Sequence, residues 1–225
     1  MTRILLLALL LFLPAPPSAA QAASNAAEEA VDTSRRADEH SHAEPERVRV
    51  RHLHLDLAVD FDARRLSGFV DLHLDWLEPR HRQLHLDTRE LEIERVVGRS
   101  GDGTWRRLRH SVEPHDPVFG SRLVVRMSRQ YEIVRVHYRT SPSASGLQWL
   151  EPSMTAGREH PFMFSQSQAI HARSWVPLQD TPSVRFTYSA RIRTPAELMA
   201  LMSADNDPQA RRTGEYRFVM PQPIP

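Results

Sequence analysis

HLHLDLAVDF at residues 52–61 and VDLHLDW at residues 70–76 decide the fold class. In the first stretch Leu53, Leu55, Leu57, Val59 and Phe61 alternate with His52, His54, Asp56 and Asp60. In the second, Val70, Leu72, Leu74 and Trp76 alternate with Asp71, His73 and Asp75. A period of two puts every apolar side chain on one side of an extended backbone, so each stretch reads as a strand with one buried and one wet face. Arg64 to Gly68 supplies the turn between them. The same rhythm returns at Leu84 and Leu86, at Leu91 and Ile93, from Leu123 to Met127, through Val134, Val136 and Tyr138, and through Val184, Phe186, Tyr188 and Ala190. Gly101-Asp102-Gly103, Pro114 to Pro117 and Ser141-Pro142-Ser143 mark turns between these runs. Only Pro195 to Met202 suggests a brief helical turn, and its apolar run fits a strand equally. So many short strands with regular breaks predict an all-β, antiparallel multi-sheet or sandwich-like domain.

Composition narrows the chemistry available. The 225 residues carry 29 basic and 28 acidic side chains, a net charge of +1, which gives no bias toward nucleic acid. Every basic residue is arginine, which removes a P-loop lysine, a Schiff-base lysine and a Ser-Lys dyad. Cysteine is absent, which removes disulfides, cysteine-ligated metals and thiol catalysis. What remains is histidine, carboxylate, serine and arginine chemistry.

The amino-terminal stretch reads as an address. Met1-Thr2-Arg3 is followed by an apolar run from Ile4 to Leu13, then by Pro14, Pro16 and Pro17 and small residues near Ala20 or Ala22. The run has signal-peptide length and falls short of the ~20 residues of a membrane span. Residues 1–22 are therefore expected to be a Sec signal, and the mature protein to be periplasmic or secreted with no membrane span. Residues 23–46, rich in Ala, Glu and Asp, are expected to be a disordered linker. Within it, His40-Ser41-His42 beside Asp38, Glu39 and Glu44 has metal-scavenging spacing but reads as a solvated polar tail. The folded domain is expected over residues 47–225, roughly 180 residues and enough for a core.

Four histidines, His52, His54, His73 and His85, fall on polar strand faces, where a metal site competes with a simple wet surface. Asp56, Asp71 and Asp75 read the same way, as paired acids or as surface. Ser165 or Ser167 with His171 and Asp180 makes a triad inventory, but neither serine lies in a Gly-x-Ser-x-Gly elbow. Neither HExxH nor a glycine-rich phosphate loop occurs in the sequence.

Between Ser145 and Ser183 the strand rhythm breaks. Gln166 and Gln168, two apart on an extended backbone, point the same way, and each amide offers a donor and an acceptor. That suits a peptide backbone as ligand, and it equally suits satisfying buried main chain in an irregular loop. The strings SGLQWLEP (145–152), EHPFMFSQSQAIHARSWVPLQDTPSVRFTYSARI (159–192) and PAELMALMSA (195–204) resemble the amino-terminal domain of the M1 zinc aminopeptidases, in the branch of leukotriene A4 hydrolase and the cold-active aminopeptidases. The likeness runs from about Val48 to Pro225.

That resemblance implies a saddle-shaped, all-β module that forms one wall of a substrate cleft against a thermolysin-like catalytic domain. It places Gln166, Ser167 and Gln168 along the bound peptide, with Gln168 toward the substrate's amino-terminal end, and makes Arg173, Asp180 and Pro182 structural. Most members carry glutamate where Gln168 stands, so this site accepts a hydrogen bond from a substrate ammonium without forming an ion pair. In the full-length family enzyme, zinc on HExxH plus a downstream glutamate, with a Gly-x-Met-Glu-Asn loop, removes amino-terminal residues from peptides. None of these elements lies in residues 1–225, so this chain is expected to bind no zinc and to be inactive alone. The last strands are expected to be incomplete, with the catalytic domain as missing partner. Two or three glutamine hydrogen bonds contribute about 1 kcal/mol each, against the roughly 4 kcal/mol that even millimolar binding needs. The alternative is a stand-alone secreted β-sandwich module that binds peptides or a protein partner.

Overall fold

The computed structural model describes residues 38–207 and 209–225. The expected signal peptide at 1–22 and the first part of the expected linker lie outside the described residues.

Among the described residues, twelve strands build three sheets. β1 (Val48–Asp60), β2 (Arg65–Trp76), β4 (Glu92–Arg99), β5 (Trp105–Arg107), β8 (Ile133–Arg139), β11 (Phe186–Arg193) and β12 (Glu215–Ile224) form a seven-stranded sheet in the order β12-β11-β1-β2-β8-β4-β5. β3 (Gln83–Thr88), β7 (Ser121–Arg126) and β6 (Arg109–Val112) form a second sheet, and β9 (Leu147–Leu150) with β10 (Phe162–Ser165) a hairpin. The alternation sorts faces as expected. Leu53, Leu55, Leu57, Val70, Leu72, Leu74, Val134, Val136 and Tyr138 are buried on one side of the large sheet, joined in one core by Leu84, Leu86, Leu123 and Val125 from the second sheet and Leu147 from the hairpin.

Local irregularities make that sorting work. Val50 pairs with Leu74 but His52 pairs with His73, so Arg51 is an extra residue in β1. The bulge shifts the phase of the pleat, which is why Val48 and Val50 face the same core as Leu53 and Leu55. Gly68 lies mid-strand at φ +147°, and a Cβ there would stand 2.0 Å from the Asp56 carbonyl oxygen, so the β1–β2 pairing requires glycine at this point.

Three features depart from the sequence expectations. β1 and β11 pair in parallel, with His52 opposite Thr187 and Leu57 opposite Ile192, inside an otherwise antiparallel sheet. The long chain between them provides the crossover that parallel neighbours need. The rhythm does not stop at Ser145, since residues 147–150 and 162–165 pair as a hairpin. Pro195 to Met202 is neither helix nor strand but a turn closed by the Leu198 amide donating to the Pro195 carbonyl at 3.0 Å.

The expected linker is corrected over its described part. The Ser41 hydroxyl donates to Asp87 at 2.5 Å, the His42 amide donates to the same carboxylate at 2.7 Å, and the His40 carbonyl accepts from Arg173 at 2.8 Å. Residues 38–46 are thus a strap bound to the β domain. Composition points the other way because the strap is held by polar groups meeting buried charges rather than by apolar burial.

Candidate functional site

The segment after β10 is a tight turn rather than an extended run. The Gln166 amide donates to the Gly146 carbonyl at 2.9 Å, extending the hairpin ladder by one step. The chain then folds back, with the Gln168 amide donating to Gln166 Oε1 at 3.0 Å and the His171 amide to the Ser167 carbonyl at 2.9 Å. The peptide bond between Gln168 and Ala169 is cis. Gln166 and Gln168 are both exposed, and what presents them is the turn and not strand alternation. Gln166 spends its side-chain carbonyl oxygen on bracing that turn, and its NH2 has no partner among the described residues. The Gln168 side chain has no partner among the described residues, so donor and acceptor are both open. Ser167 is half-buried and its hydroxyl accepts from the Trp175 indole at 3.1 Å, which makes it first a brace.

Behind the turn lies a buried ionic cluster that fixes it. Arg173 is fully buried. Its Nε donates to Asp180 at 2.9 Å, and its terminal nitrogens donate to the carbonyls of Phe119 (2.8 Å), His40 (2.8 Å) and Asp180 (3.1 Å). Asp87, also fully buried, accepts from Ser41, from His42 N–H and from the Asp180 amide at 3.0 Å. Burial pushes the Asp180 carboxyl above the ordinary range, although the hydrogen bonds from Arg173 act in the opposite sense. Arg173 and Asp180 therefore match their expected structural role. Asp87 and Phe119 were not legible as members, and Asp87 gave no signal because it sits in β3 among leucines like any surface acid.

Ser174, buried, links this cluster to the turn by donating to the His171 carbonyl at 2.7 Å and accepting from Gly146 N–H at 2.8 Å. The triad inventory dissolves. His171 Nδ1 meets Ser145 Oγ at 2.8 Å, Asp180 belongs to Arg173, and Ser167 belongs to Trp175. The aspartates are likewise divided among arginines, Asp71 with Arg135 at 2.6 Å, Asp75 with Arg51 at 3.1 Å, and Asp56 with Arg193.

The histidines do not converge on a metal. His52 bonds Thr187 at 2.7 Å and Ser189 at 3.2 Å, His54 bonds Ser189 at 2.8 Å, and His52 meets His73 edge-on at 5.0 Å between ring centroids. His85 lies 3.0 Å from the Glu44 carboxylate in the strap. Burial holds the His52, His73, His85 and His137 imidazoles below the ordinary histidine range. Among the described residues no group of three or more His, Asp or Glu is placed to hold a metal ion, so these residues do not fit a zinc site. No described helix is long and apolar enough to cross a membrane.

The described residues thus form an all-β domain of three sheets that carries an exposed glutamine pair on a turn braced by a buried ionic cluster. The Peptidase M1 N-terminal domain family matches residues 49–225, and the chain belongs to that family. Leukotriene A-4 hydrolase of Xenopus laevis is 40% identical over 196 residues, covering 84% of this chain and 32% of the relative. Leucine aminopeptidase 2 of Yarrowia lipolytica is 36% identical over 177 residues, covering 75% and 25%. The native leukotriene A4 hydrolase structure from Saccharomyces cerevisiae superposes with a TM-score of 0.75 at 32% identity, covering 90% of this chain and 31% of that one. An M1 zinc metallopeptidase from Deinococcus radiodurans shares the fold, with a TM-score of 0.59 at 21% identity, covering 81% and 41%. The chain spans between a quarter and a third of the length of the curated relatives it matches here.

Proposed function

We propose that this domain forms one wall of the substrate cleft of a zinc metalloaminopeptidase that removes amino-terminal residues from peptides, with Gln168 and Gln166 as its contacts to the substrate. The observation that carries the reading is the braced turn at 166–170, which leaves the Gln168 amide and the Gln166 NH2 open inside the family-matched region. In this reading Gln168 accepts a hydrogen bond from the substrate's ammonium group, Gln166 donates to a peptide carbonyl, and Ser167 holds the turn through Trp175. Zinc and its ligands belong to residues outside these 225, and the chain by itself hydrolyses nothing. The protein acts outside the cytoplasm, a reading supported by the charge and apolar pattern of residues 1–22.

The test is Gln168→Ala in the enzyme that includes the catalytic domain, assayed on a series of peptides. A hydrogen bond to a charged ammonium, about 1.5–3 kcal/mol, predicts a rise in KM of roughly tenfold or more with a smaller change in kcat. Gln168→Glu should tighten binding of free amino termini and leave acetylated peptides unaffected. Unchanged kinetics in both variants would remove Gln168 from the cleft.

A further inference from the structure

We propose that the β4–β5 corner of the open sheet face is a docking site for an extended acidic peptide segment. The inference is independent of the cleft reading, because this corner is built from different strands. The large sheet turns its apolar face to the core and its polar face outward. On that outer face the registers set Arg95 opposite His137, Val97 opposite both Arg135 and Arg107, and Arg99 opposite Trp105. Arg95, Arg107 and Arg99 therefore form a zigzag on one face, with diagonal neighbours about 7–8 Å apart. Same-face side chains of an extended peptide recur about 6.8 Å apart, so acidic residues at alternate positions match that spacing.

Arginine outnumbers carboxylate along this stretch of the corner. Residues 94–109 hold five arginines against two acids, Glu94 and Asp102, although the whole chain is nearly neutral. Glu94 is taken by Arg139 at 2.6 Å, and Asp102 is turned into its own loop, accepting from the Thr104 amide at 2.9 Å. Arg135 is held by Asp71, but Arg95, Arg99 and Arg107 have no carboxylate partner among the described residues. Arg95 instead meets His137 Nε2 at 2.9 Å.

The corner also carries an ordered aromatic group and a free edge. The Arg135 guanidinium is layered between Phe69 (3.8 Å to the ring centroid) and Trp105 (4.6 Å), which holds the indole in place while it stays 38% exposed. β5 is the last strand of its sheet and all three of its residues are exposed. A further strand can add along that edge, its backbone pairing with β5 and its acidic side chains falling beside Trp105 and Arg107.

The test uses the full chain and a fluorescein-labelled ten-residue polyglutamate, followed by fluorescence anisotropy. Saturable binding is expected, weakening by about tenfold or more both at high salt and in R99E/R107E. The melting temperature of that variant should match the parent, and R158E, in the β9–β10 loop, should bind as the parent does. Absence of saturable binding, binding unchanged in R99E/R107E, or tighter binding of a ten-nucleotide oligo-dT than of polyglutamate would each overturn the proposal, the last by assigning the surface to nucleic acid.

Discussion

Replacing Arg173 by methionine tests whether the strap and the buried cluster hold the glutamine turn. The guanidinium joins three separate segments through carbonyls of His40, Phe119 and Asp180 and through the Asp180 carboxylate. Methionine fills similar volume but leaves Asp180 and Asp87 buried near each other with no cation between them. Removing one partner of a buried pair costs about 3–5 kcal/mol, because the remaining charge is stranded. The carbonyl oxygens left without a donor add about 1 kcal/mol or more each. Against a total of about 5–15 kcal/mol for a domain, most of the stability is at stake. In a domain of this size each kcal/mol lowers the melting temperature by about 2–4 °C, so a drop of 10 °C or more is expected. The assay is urea unfolding of the chain lacking residues 1–37, followed by circular dichroism, with the double variant Arg173→Met/Asp180→Leu as comparison. The double variant should recover part of the loss, since it removes one stranded carboxylate as well. If Arg173→Met alone costs under about 1 kcal/mol, the cluster does not act as a structural centre and the argument for the braced turn fails.

Deleting residues 1–46 instead of 1–37 should destabilise the domain by about 2–4 kcal/mol, because Asp87 loses its Ser41 and His42 donors and Arg173 loses an acceptor; equal urea midpoints for the two truncations would mean that the strap contributes nothing. Acid should weaken the fold through the sheet-face histidines. Since burial lowers the His52 and His73 values in the folded state, the unfolded chain takes up protons first, near its ordinary pKa of about 6.5. Stability is thus complete above that pH and declines as pH falls below it. His73→Asn should make the melting temperature less sensitive to pH between about 7.5 and 5, and an unaltered slope would exclude His73 from the effect. Tyr138→Phe should leave stability unchanged or raise it by up to about 1 kcal/mol, because the buried hydroxyl has no partner among the described residues. A loss of more than about 2 kcal/mol in denaturant melts would reveal a hydrogen bond made by the Tyr138 hydroxyl.

The alternation of HLHLDLAVDF and VDLHLDW determined that the chain forms strands and which side of each is buried, because a period of two is a property of the backbone alone. It could not determine that β1 lies beside β11 in parallel, since the alternation is the same for either direction of a neighbour. The paired glutamines were legible only as amides suited either to a peptide or to buried main chain, and the turn that presents them depends on hydrogen bonds with Gly146, Trp175 and Ser174. The cluster of Arg173, Asp87 and Asp180 was only half legible. A buried charge is invisible in composition, where it reads as surface, until its partners arrive from segments far apart in sequence. The strap at 38–46 is the sharpest case. Its residues are those of a disordered tail, and they are ordered because buried Asp87 and Arg173 need hydrogen-bond partners that only the assembled domain brings into reach.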